Sequence, residues 1–394
     1  MAIVPQAYRL VQQHILPWIT HVPKKMNDPL KLGVLSLPSI RTTEIINPVA
    51  THPDVVLYAI ASGDSASASS LAAEHRFETS HKSYAELLAD AKVDFVYISL
   101  PTALHFEWAF KALEAGKHVL LEPPFTSNAV EAKALVRKAE MTNRILMEGC
   151  HWQFHPAAHR FRQIVDSGAY GGIIGTSAGM SSTPAIPKDD VRWEYDLSGG
   201  SLISMGSVVG LTRYILHAST LEDIVHAEAG VSEHGRLVDS SMLATLRFKL
   251  GSINPEADDS DVFSILYTDM DRAPAYGIIP RFWELPSIRV ETETFEIYFY
   301  DVLSPHAYHH IAITEKSNGK TKYEHYFKGG PLWNDRGGML WSSYRYQLEA
   351  FVDKLRGKHP VWWITGEESV QQMKTIDQVY RKSGLPLRPT SEMV

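Results

Sequence analysis

Between Leu30 and Gly149 the chain alternates short apolar runs with segments of helical pattern, and this alternation constrains its fold more than any other feature. Runs that are apolar at nearly every position are typical of strands covered on both faces. Because strands that alternate with helices form right-handed βαβ units, the sequence predicts an α/β, Rossmann-like, doubly wound parallel sheet. The predicted strands are Leu30–Leu37, Val55–Ser62, Val93–Leu100, His118–Glu122 and Ile145–Gly149.

The pattern changes after about Gly171, where strand-like segments follow one another with turns between them. Polar and apolar residues alternate in these segments, as they do in an antiparallel sheet with one exposed face. A predicted helix, Leu202–His217, interrupts them. This half of the chain is therefore predicted to form an α+β domain with a large open, mostly antiparallel sheet. Its predicted strands are Ile173–Ser181, Ile224–Val231, Ser241–Leu250, Val262–Tyr267, Ile288–Val302 and His309–Thr314.

The 394 residues are enough for two or three domains, and the pattern divides them into four segments. Residues 1–28 form an N-terminal extension, and residues 29–150 form the Rossmann-like domain. Residues 151–340 are predicted to form a substrate-binding and dimerisation domain. Residues 341–394 contain two predicted helices, about Tyr344–Arg356 and Glu367–Lys382, which we expect to pack back on the first domain.

Composition excludes several classes of function. The net charge is −7 and the chain has no basic run, which argues against binding to a nucleic-acid backbone. Cys150 is the single cysteine, so the chain can have neither a disulfide framework nor a thiolate metal cluster, and a reducing, cytoplasmic location fits. No apolar run reaches the roughly 18 residues that a membrane span needs. The expected partners are a small-molecule substrate and a second copy of the chain.

Several motifs resemble those of one oxidoreductase family. They are Gly116 to Phe125 (GKHVLLEPPF), Phe154-His155-Pro156 and Pro187 to Asp190 (PKDD). The chain resembles the glucose-fructose oxidoreductase / inositol dehydrogenase (Gfo/Idh/MocA) family, and within it the fungal D-xylose / trans-dihydrodiol dehydrogenase-like proteins. The resemblance covers the chain from about residue 30. It implies the two-domain layout above, a dinucleotide cofactor, and a homodimer that forms through the open sheet.

The cofactor loop departs from the family pattern. Ser36, Pro38 and Arg41 stand where the family usually has a glycine, a small residue and an alanine. Pro38 has no amide proton to offer a phosphate, so the sequence predicts weak or absent dinucleotide binding, and no cofactor is expected. The alternative is that Arg41 pairs with a phosphate and NADP or NAD binds. The candidate cofactor residues are Ser36, Pro38, Ser39, Ile40, Pro101, His105 and Glu122.

The catalytic positions of the family are also changed. The resemblance places the catalytic lysine at Pro123, the acid of the second motif at Ser204, and the His/Tyr proton relay at Val208. Neither proline nor valine can transfer a proton. Three such changes next to intact framework glycines, Gly199 and Gly200, indicate changed chemistry.

The remaining polar and aromatic residues supply the candidate site. His151 is predicted to be a new acid or base, with Ser204 as a second catalytic candidate. The spacing of His151, His155 and His159 suggests a metal, but no carboxylate or cysteine completes the set, so no metal is predicted. The predicted substrate pocket consists of Pro123, Val208, Trp152, His155, Arg192 and Trp193.

The function that these changes favour is that of a redox-silent enzyme on an oxidoreductase scaffold. It would bind a small, largely apolar organic molecule in the cleft between the domains and catalyse isomerisation, elimination or cyclisation, including pericyclic cyclisation by restraint. The fungal subgroup suggests natural-product biosynthesis. One alternative is an NAD(P)-dependent dehydrogenase of an aldose or cyclic diol, with His151 or a water in place of the lysine. Another is a catalytically dead binding homologue.

Overall fold

The computed structural model describes residues 23–36, 42–217, 221–232, 235–249 and 261–394. These residues form two compact units. The parallel-sheet unit contains residues 23–155 together with Lys328–Val370 and Thr390–Val394. The antiparallel-sheet unit contains Pro156–Phe327 and Gln371–Pro389. Most of the predicted N-terminal extension, residues 1–22, lies outside the described part of the chain.

The parallel-sheet unit contains a six-stranded parallel sheet in the order β3-β2-β1-β4-β5-β6. Its strands are β1 (Leu30–Ser36), β2 (Val55–Ala61), β3 (Thr79–His81), β4 (Phe95–Ser99), β5 (His118–Leu121) and β6 (Leu146–Glu148). The helices between and after them are α1 (Ile46–Ala50), α2 (Ser65–His75), α3 (Tyr84–Ala89), α4 (His105–Glu114), α5 (Ala129–Thr142) and, much later in the chain, α9 (Ser343–Leu355).

Local sequence explains these elements. The first four residues of β4 are fully buried, as expected for a central strand with helices on both faces. Helix α5 begins at Asn128, whose side chain accepts hydrogen bonds from the amides of Val130 and Glu131. It ends at Asn143, which adopts the left-handed conformation that asparagine tolerates. A continuous core of β1, β4 and α9 side chains, including Val34, Phe95 and Phe351, packs the sheet.

The antiparallel-sheet unit contains an eight-stranded sheet in the order β14-β13-β12-β11-β7-β10-β9-β8, in which only the β7–β10 pair is parallel. Its strands are β7 (Ile173–Ser181), β8 (Leu221–Ser232), β9 (Gly235–Lys249), β10 (Asp261–Asp269), β11 (Ser287–Thr292), β12 (Phe295–Tyr300), β13 (His310–Glu315) and β14 (Thr321–Glu324). Its helices are α6 (Pro156–Asp166), α7 (Ser201–Ser204) and α8 (Ser207–Ile215). Helix α10 (Gly366–Ser383) belongs to this unit from Gln371 onward.

The predicted fold class is confirmed, with differences at particular elements. The helix predicted over Leu202–His217 is two helices, because Gly206, a poor helix former, separates α7 from α8. The strand predicted over Ile288–Val302 is the pair β11 and β12. The Thr292 hydroxyl accepts a hydrogen bond from the Phe295 amide and closes the turn between them. The short edge strands β3 and β14 were not predicted. No helix in the described residues combines the length and the apolar character that crossing a membrane would require.

Candidate functional site

The candidate cofactor residues that the structure describes lie where the parallel strands end. Ser36 ends β1, Pro101 lies just beyond β4, and Glu122 directly follows β5. The order of the strands places the switch in connection direction between β1 and β4. Ligands of open parallel sheets bind beyond the carboxyl ends of the strands at such a switch. The fold therefore brings these three residues to the edge at which a ligand of this architecture binds.

The end of β2 provides a test of whether a dinucleotide fits this edge. Ser62, the residue after β2, is 2% exposed, and its hydroxyl has no hydrogen-bond partner among the described residues. A Cβ atom built on the next residue, Gly63, would meet no atom within 4 Å. Since buried hydroxyls are normally paired, Ser62 offers an unused donor and acceptor beside open space. These residues fit the ribose of a dinucleotide.

The residue after Gly63 adds a negative charge to this edge. Asp64 caps α2, and its carboxylate accepts hydrogen bonds from the Ser67 amide at 2.8 Å and the Ser67 hydroxyl at 2.6 Å. These bonds lower the pKa of Asp64. The segment 61–75 contains neither lysine nor arginine. This part of the edge therefore offers a carboxylate and no cation to a 2′-phosphate.

The cofactor loop itself, residues 37–41, lies outside the described residues, so the roles of Pro38, Ser39, Ile40 and Arg41 remain predictions. The structure does show how the residue before the loop, Ser36 at the end of β1, is held. The Tyr84 hydroxyl on α3 donates to the Ser36 carbonyl oxygen at 3.0 Å. The Tyr84 ring packs edge-on against Trp108, with 4.9 Å between the ring centroids. The end of β1 is thereby fixed by a side chain that the sequence analysis did not identify.

His105 joins two strand ends. Its ring is 1% exposed, with Nδ1 2.8 Å from the Pro124 carbonyl oxygen and Nε2 2.8 Å from the Leu100 carbonyl oxygen. Burial lowers the pKa of His105, against the effect of the two carbonyls. The segments after β4 and β5 are therefore tied together through this ring.

The position that the family resemblance assigns to lysine lies next to a buried tyrosine. Pro123 is half-buried, and its neighbour Glu122 acts electrostatically on Tyr97, whose hydroxyl donates to Glu44 Oε2 at 3.5 Å. Burial raises the pKa of Tyr97 well above its usual range, and the Glu122 and Glu44 carboxylates raise it further. Tyr97 therefore stays protonated and remains a hydrogen-bond donor.

His151 lies after β6 and is held from two sides. Its Nδ1 atom is 2.8 Å from the Ser343 hydroxyl oxygen. Its ring stacks on that of Tyr344, with 3.8 Å between the centroids. Both partners belong to the start of α9, almost 200 residues away in sequence, so no local pattern could have indicated them. His151 and Gln153 are each 8% exposed, whereas the other two residues of the short turn from His151 to Phe154 are almost completely buried.

Two other candidates near His151 are core residues. Trp152 is 1% exposed and His155 is 0% exposed. The His155 ring packs edge-on against Tyr346, with 5.6 Å between the centroids. These side chains fill the interior of the parallel-sheet unit.

The remaining candidates belong to the antiparallel-sheet unit. Ser204 ends α7 and is half-buried, and Val208 on α8 is fully buried. Arg192 donates to both carboxylate oxygens of Asp190, at 2.8 and 2.7 Å. Trp193 is 5% exposed and lies in a small apolar cluster with Ile186 and Met205.

Helix α7 is anchored by a buried ionic network that the sequence analysis missed. Asp239 on β9 and Arg388 form a fully buried ion pair. Asp239 also accepts hydrogen bonds from the Ser201 hydroxyl at 2.7 Å, the Leu202 amide at 2.8 Å and the Tyr380 hydroxyl at 3.0 Å. Burial raises the pKa of Asp239, and Arg388 opposes this effect. The first turn of α7 is thus fixed to β9.

Gly200 makes this network possible. Its φ of 142° lies in the region that favours glycine. A Cβ atom at this position would overlap the Arg388 guanidinium, the Asp239 carboxylate and the Tyr380 hydroxyl. The second glycine of the Gly199-Gly200 motif therefore leaves room for the charges that hold α7.

No group of three histidine, cysteine or acidic side chains within the described ranges is arranged to hold a metal ion.

Comparison with known proteins identifies related sequences. Residues 33–150 match the sequence model of the GFO_IDH_MocA oxidoreductase family, which has an NAD-binding Rossmann fold. The chain is 28% identical to D-xylose 1-dehydrogenase (NADP(+)) 2 of Haloferax volcanii, over 90% of this chain and 97% of the relative. It is 26% identical to D-xylose 1-dehydrogenase (NADP(+)) of Hypocrea jecorina, over 90% and 92% of the two chains. A trans-1,2-dihydrobenzene-1,2-diol dehydrogenase of Xenopus tropicalis is 27% identical over 55% of this chain and 65% of the relative.

Solved structures confirm the fold. A 3-ketoreductase from Actinomadura kijaniata, crystallised with NADP and TDP-benzene, superposes with a TM-score of 0.73 at 23% identity. The match covers 90% of this chain and 98% of the other. An aldose-aldose oxidoreductase from Caulobacter crescentus superposes with a TM-score of 0.72 at 18% identity, over 90% and 98% of the two chains.

Two expectations from the sequence are wrong. Relatives that match over nearly their whole length are named as NADP(+)-dependent dehydrogenases, which contradicts both a redox-silent isomerase or cyclase and the absence of a cofactor. The physical error lies in the weight given to Pro123, Ser204 and Val208. General acid–base help contributes roughly 10²–10⁴-fold, whereas enzymes typically accelerate reactions by about 10⁶-fold or more. Changed proton-handling groups alone are therefore not grounds for excluding hydride transfer.

The order of the parallel sheet, the matched region and the relatives that cover 90% of the chain agree, and residues 33–150 form the NAD-binding Rossmann domain of the Gfo/Idh/MocA family of oxidoreductases.

Proposed function

We propose that the protein is an NAD(P)-dependent oxidoreductase that oxidises a hydroxyl-bearing carbon of an aldose or cyclic diol, or reduces the corresponding carbonyl. The observation that carries this proposal is the buried, unpaired hydroxyl of Ser62 at the carboxyl edge of the sheet. It fits a ribose in a fold whose relatives include two NADP(+)-dependent xylose dehydrogenases and a dihydrodiol dehydrogenase.

The proposed proton chemistry centres on His151. A bound nicotinamide supplies a hydride acceptor or donor. During oxidation the substrate hydroxyl must also lose its proton, and Pro123 cannot accept it. The His151 imidazole takes this proton in the proposed mechanism, and returns it during reduction. Ser343 and Tyr344 position the ring.

Ser62 is proposed to bind the ribose through its hydroxyl. Asp64 is proposed to affect the preference between NADH and NADPH. A 2′-phosphate would meet the Asp64 carboxylate without a compensating cation in the segment 61–75. We therefore expect NADH to bind at least as tightly as NADPH.

Titration of the full chain with NADH and NADPH, followed by nicotinamide fluorescence, tests the proposal. We expect saturable binding, and reduction of NAD(P)⁺ when D-xylose or a cyclic diol is added. Ser62→Ala should weaken binding by roughly two- to tenfold, the effect of one hydrogen bond. It should leave the melting temperature of the free protein unchanged or higher, because it removes an unpaired buried hydroxyl.

The matched control is Ser69→Ala on the exposed part of α2, which should change neither the affinity nor the stability. Absence of binding for both dinucleotides would refute the proposal. A loss of stability in free Ser62→Ala would show instead that this hydroxyl serves the fold.

The outward face of the antiparallel sheet supports a homodimer. Leu243, Phe263 and Ile265 on β9 and β10 are 40%, 45% and 48% exposed. On the neighbouring strand β7, Phe263 pairs with Gly175 and Ile265 pairs with Ser177. The large apolar side chains are therefore flanked by small residues. An apolar patch of this kind marks an association surface, and a second copy of the chain supplies the same patch.

Multi-angle light scattering of the full chain tests the dimer. Ile265→Lys should convert a dimer into a monomer, because a lysine would be desolvated in the middle of the interface. Tyr276→Lys, at a residue of the same unit that is 94% exposed, should not change the mass. A wild-type chain that is monomeric at micromolar concentration would exclude a stable dimer.

A further inference from the structure

A pocket opens at the amino-terminal edge of the parallel sheet, opposite the proposed cofactor edge. It has a volume of about 270 Å³ and is bounded by residues at the start of β1, just before β4, at the start of β5 and just before β6. No residue of the proposed cofactor edge takes part in it. A water occupies about 30 Å³ in the liquid, so the pocket has room for a molecule of the size of a pentose or hexose.

The lining of this pocket includes an arginine that is available to a ligand. Arg144 is exposed, and its guanidinium has no hydrogen bond or ion pair with any residue in the described part of the chain. The guanidinium lies over Gly116, since a Cβ atom built on this glycine would be 3.6 Å from Nη2. Gly116 has a φ of 76°, so the backbone itself favours the residue that leaves this approach open. The five N–H groups of Arg144 are therefore available to an anion.

Two further donors lie beside Arg144. His118 accepts a hydrogen bond at Nδ1 from the Ile145 amide at 2.9 Å, which places its proton on Nε2. Burial lowers the pKa of His118, and Arg144 lowers it further, so the ring is a neutral donor at pH 7. Lys117 donates to the carbonyl oxygens of Asp90 and Val93 at 2.6 and 2.8 Å. Its third N–H bond is left for a ligand.

The lining of the pocket also includes a hydrogen-bond acceptor, Asp94. The Asp94 carboxylate accepts a hydrogen bond from the Lys31 amide at 2.7 Å, and it has lone pairs left to accept from another donor. Leu30, Val93 and Leu355 are apolar lining residues. A simple inorganic anion would satisfy the donors and would be repelled by Asp94. An anion that also carries hydroxyl groups would satisfy both the donors and the Asp94 acceptor.

We infer that this pocket binds a small hydroxylated anion, of the class of a sugar acid or a sugar phosphate, with its anionic group on Arg144 and a hydroxyl group on Asp94. The site lies apart from the proposed cofactor edge, so both ligands bind at once.

Isothermal titration calorimetry of the full chain, with and without excess NADPH, tests this inference. The probes are D-gluconate, D-ribose 5-phosphate, inorganic phosphate and the neutral D-sorbitol. We expect gluconate or ribose 5-phosphate to bind equally well in both conditions, and sorbitol not to bind. The two anions distinguish a carboxylate ligand from a phosphate ligand.

Arg144→Gln should weaken this binding roughly tenfold or more, as loss of a charge-assisted hydrogen bond does. Arg137→Gln, at an exposed arginine of α5, is the matched control and should bind like the wild type. The inference is overturned if neither hydroxylated anion binds, if NADPH displaces them, or if Arg144→Gln binds them as tightly as the wild type. Equal affinity for inorganic phosphate and ribose 5-phosphate would overturn the role of Asp94.

Discussion

Replacement of Asp239 by alanine is expected to destabilise the antiparallel-sheet unit by about 3–5 kcal/mol, because the Arg388 guanidinium would stay buried without its carboxylate. The Ser201 hydroxyl, the Leu202 amide and the Tyr380 hydroxyl would lose their acceptor in the same substitution. In a unit of this size the melting temperature should fall by roughly 10 °C. Thermal unfolding of the full chain, followed by circular dichroism, measures the effect.

Asp271→Ala is the matched control, since Asp271 pairs with Lys188 on the surface of the same unit, with both side chains 45% exposed. Such surface pairs contribute about 0–1 kcal/mol. If Asp239→Ala melts within the range of this control, the network does not stabilise the unit. The double variant Asp239→Leu with Arg388→Met should recover part of the loss, because it removes both buried charges.

Replacement of His151 by asparagine is expected to lower kcat for alcohol oxidation by roughly 10²-fold, the contribution typical of a general base. Asparagine can still hydrogen-bond to Ser343 but cannot take a proton at neutral pH. Affinity for the dinucleotide should not change. The pH profile of kcat/KM should change as well, because asparagine cannot act as a general base. Steady-state kinetics across the pH range, with a nicotinamide absorbance readout, measure both effects.

Two variants define the role of His151 more closely. Ser343→Ala should lower kcat less than His151→Asn and retain the wild-type shape of the pH profile, since Ser343 only positions the ring. His75→Asn, at the end of α2, should leave the kinetics unchanged. A His151→Asn enzyme with wild-type kcat would assign the proton transfer to another group.

The fold class was predictable because its signals are local. Four of the five residues of β4 are completely buried, and a strand buried on both faces must be apolar throughout, so the run from Val93 to Leu100 showed it directly. Strand β3 was not predicted because its three residues are only half-buried at the edge of the sheet, and such a strand does not require an apolar run. The turn between β11 and β12 depends on one threonine hydroxyl and leaves the apolar alternation unbroken.

The site was less predictable because its contacts are distant in sequence. Asp239 and Arg388 are 149 residues apart, and His151 and Ser343 are 192 apart. Ser62 is a candidate ribose-binding residue because its hydroxyl is buried and unpaired, and only the folded chain shows this. The changes at Pro123, Ser204 and Val208 were visible, but the sequence alone does not say how much of a hydride transfer depends on them.

The late position of Arg388 in the chain also bears on biosynthesis. Asp239 is made as part of β9, yet its counter-ion is synthesised 149 residues later. In the parallel-sheet unit, the buried Glu131 likewise receives one of its donors from the amide of Ser391. Domains commonly fold in order as they emerge from the ribosome. Both units need contacts from the same short segment, so neither has its final set of contacts until translation has passed residue 391.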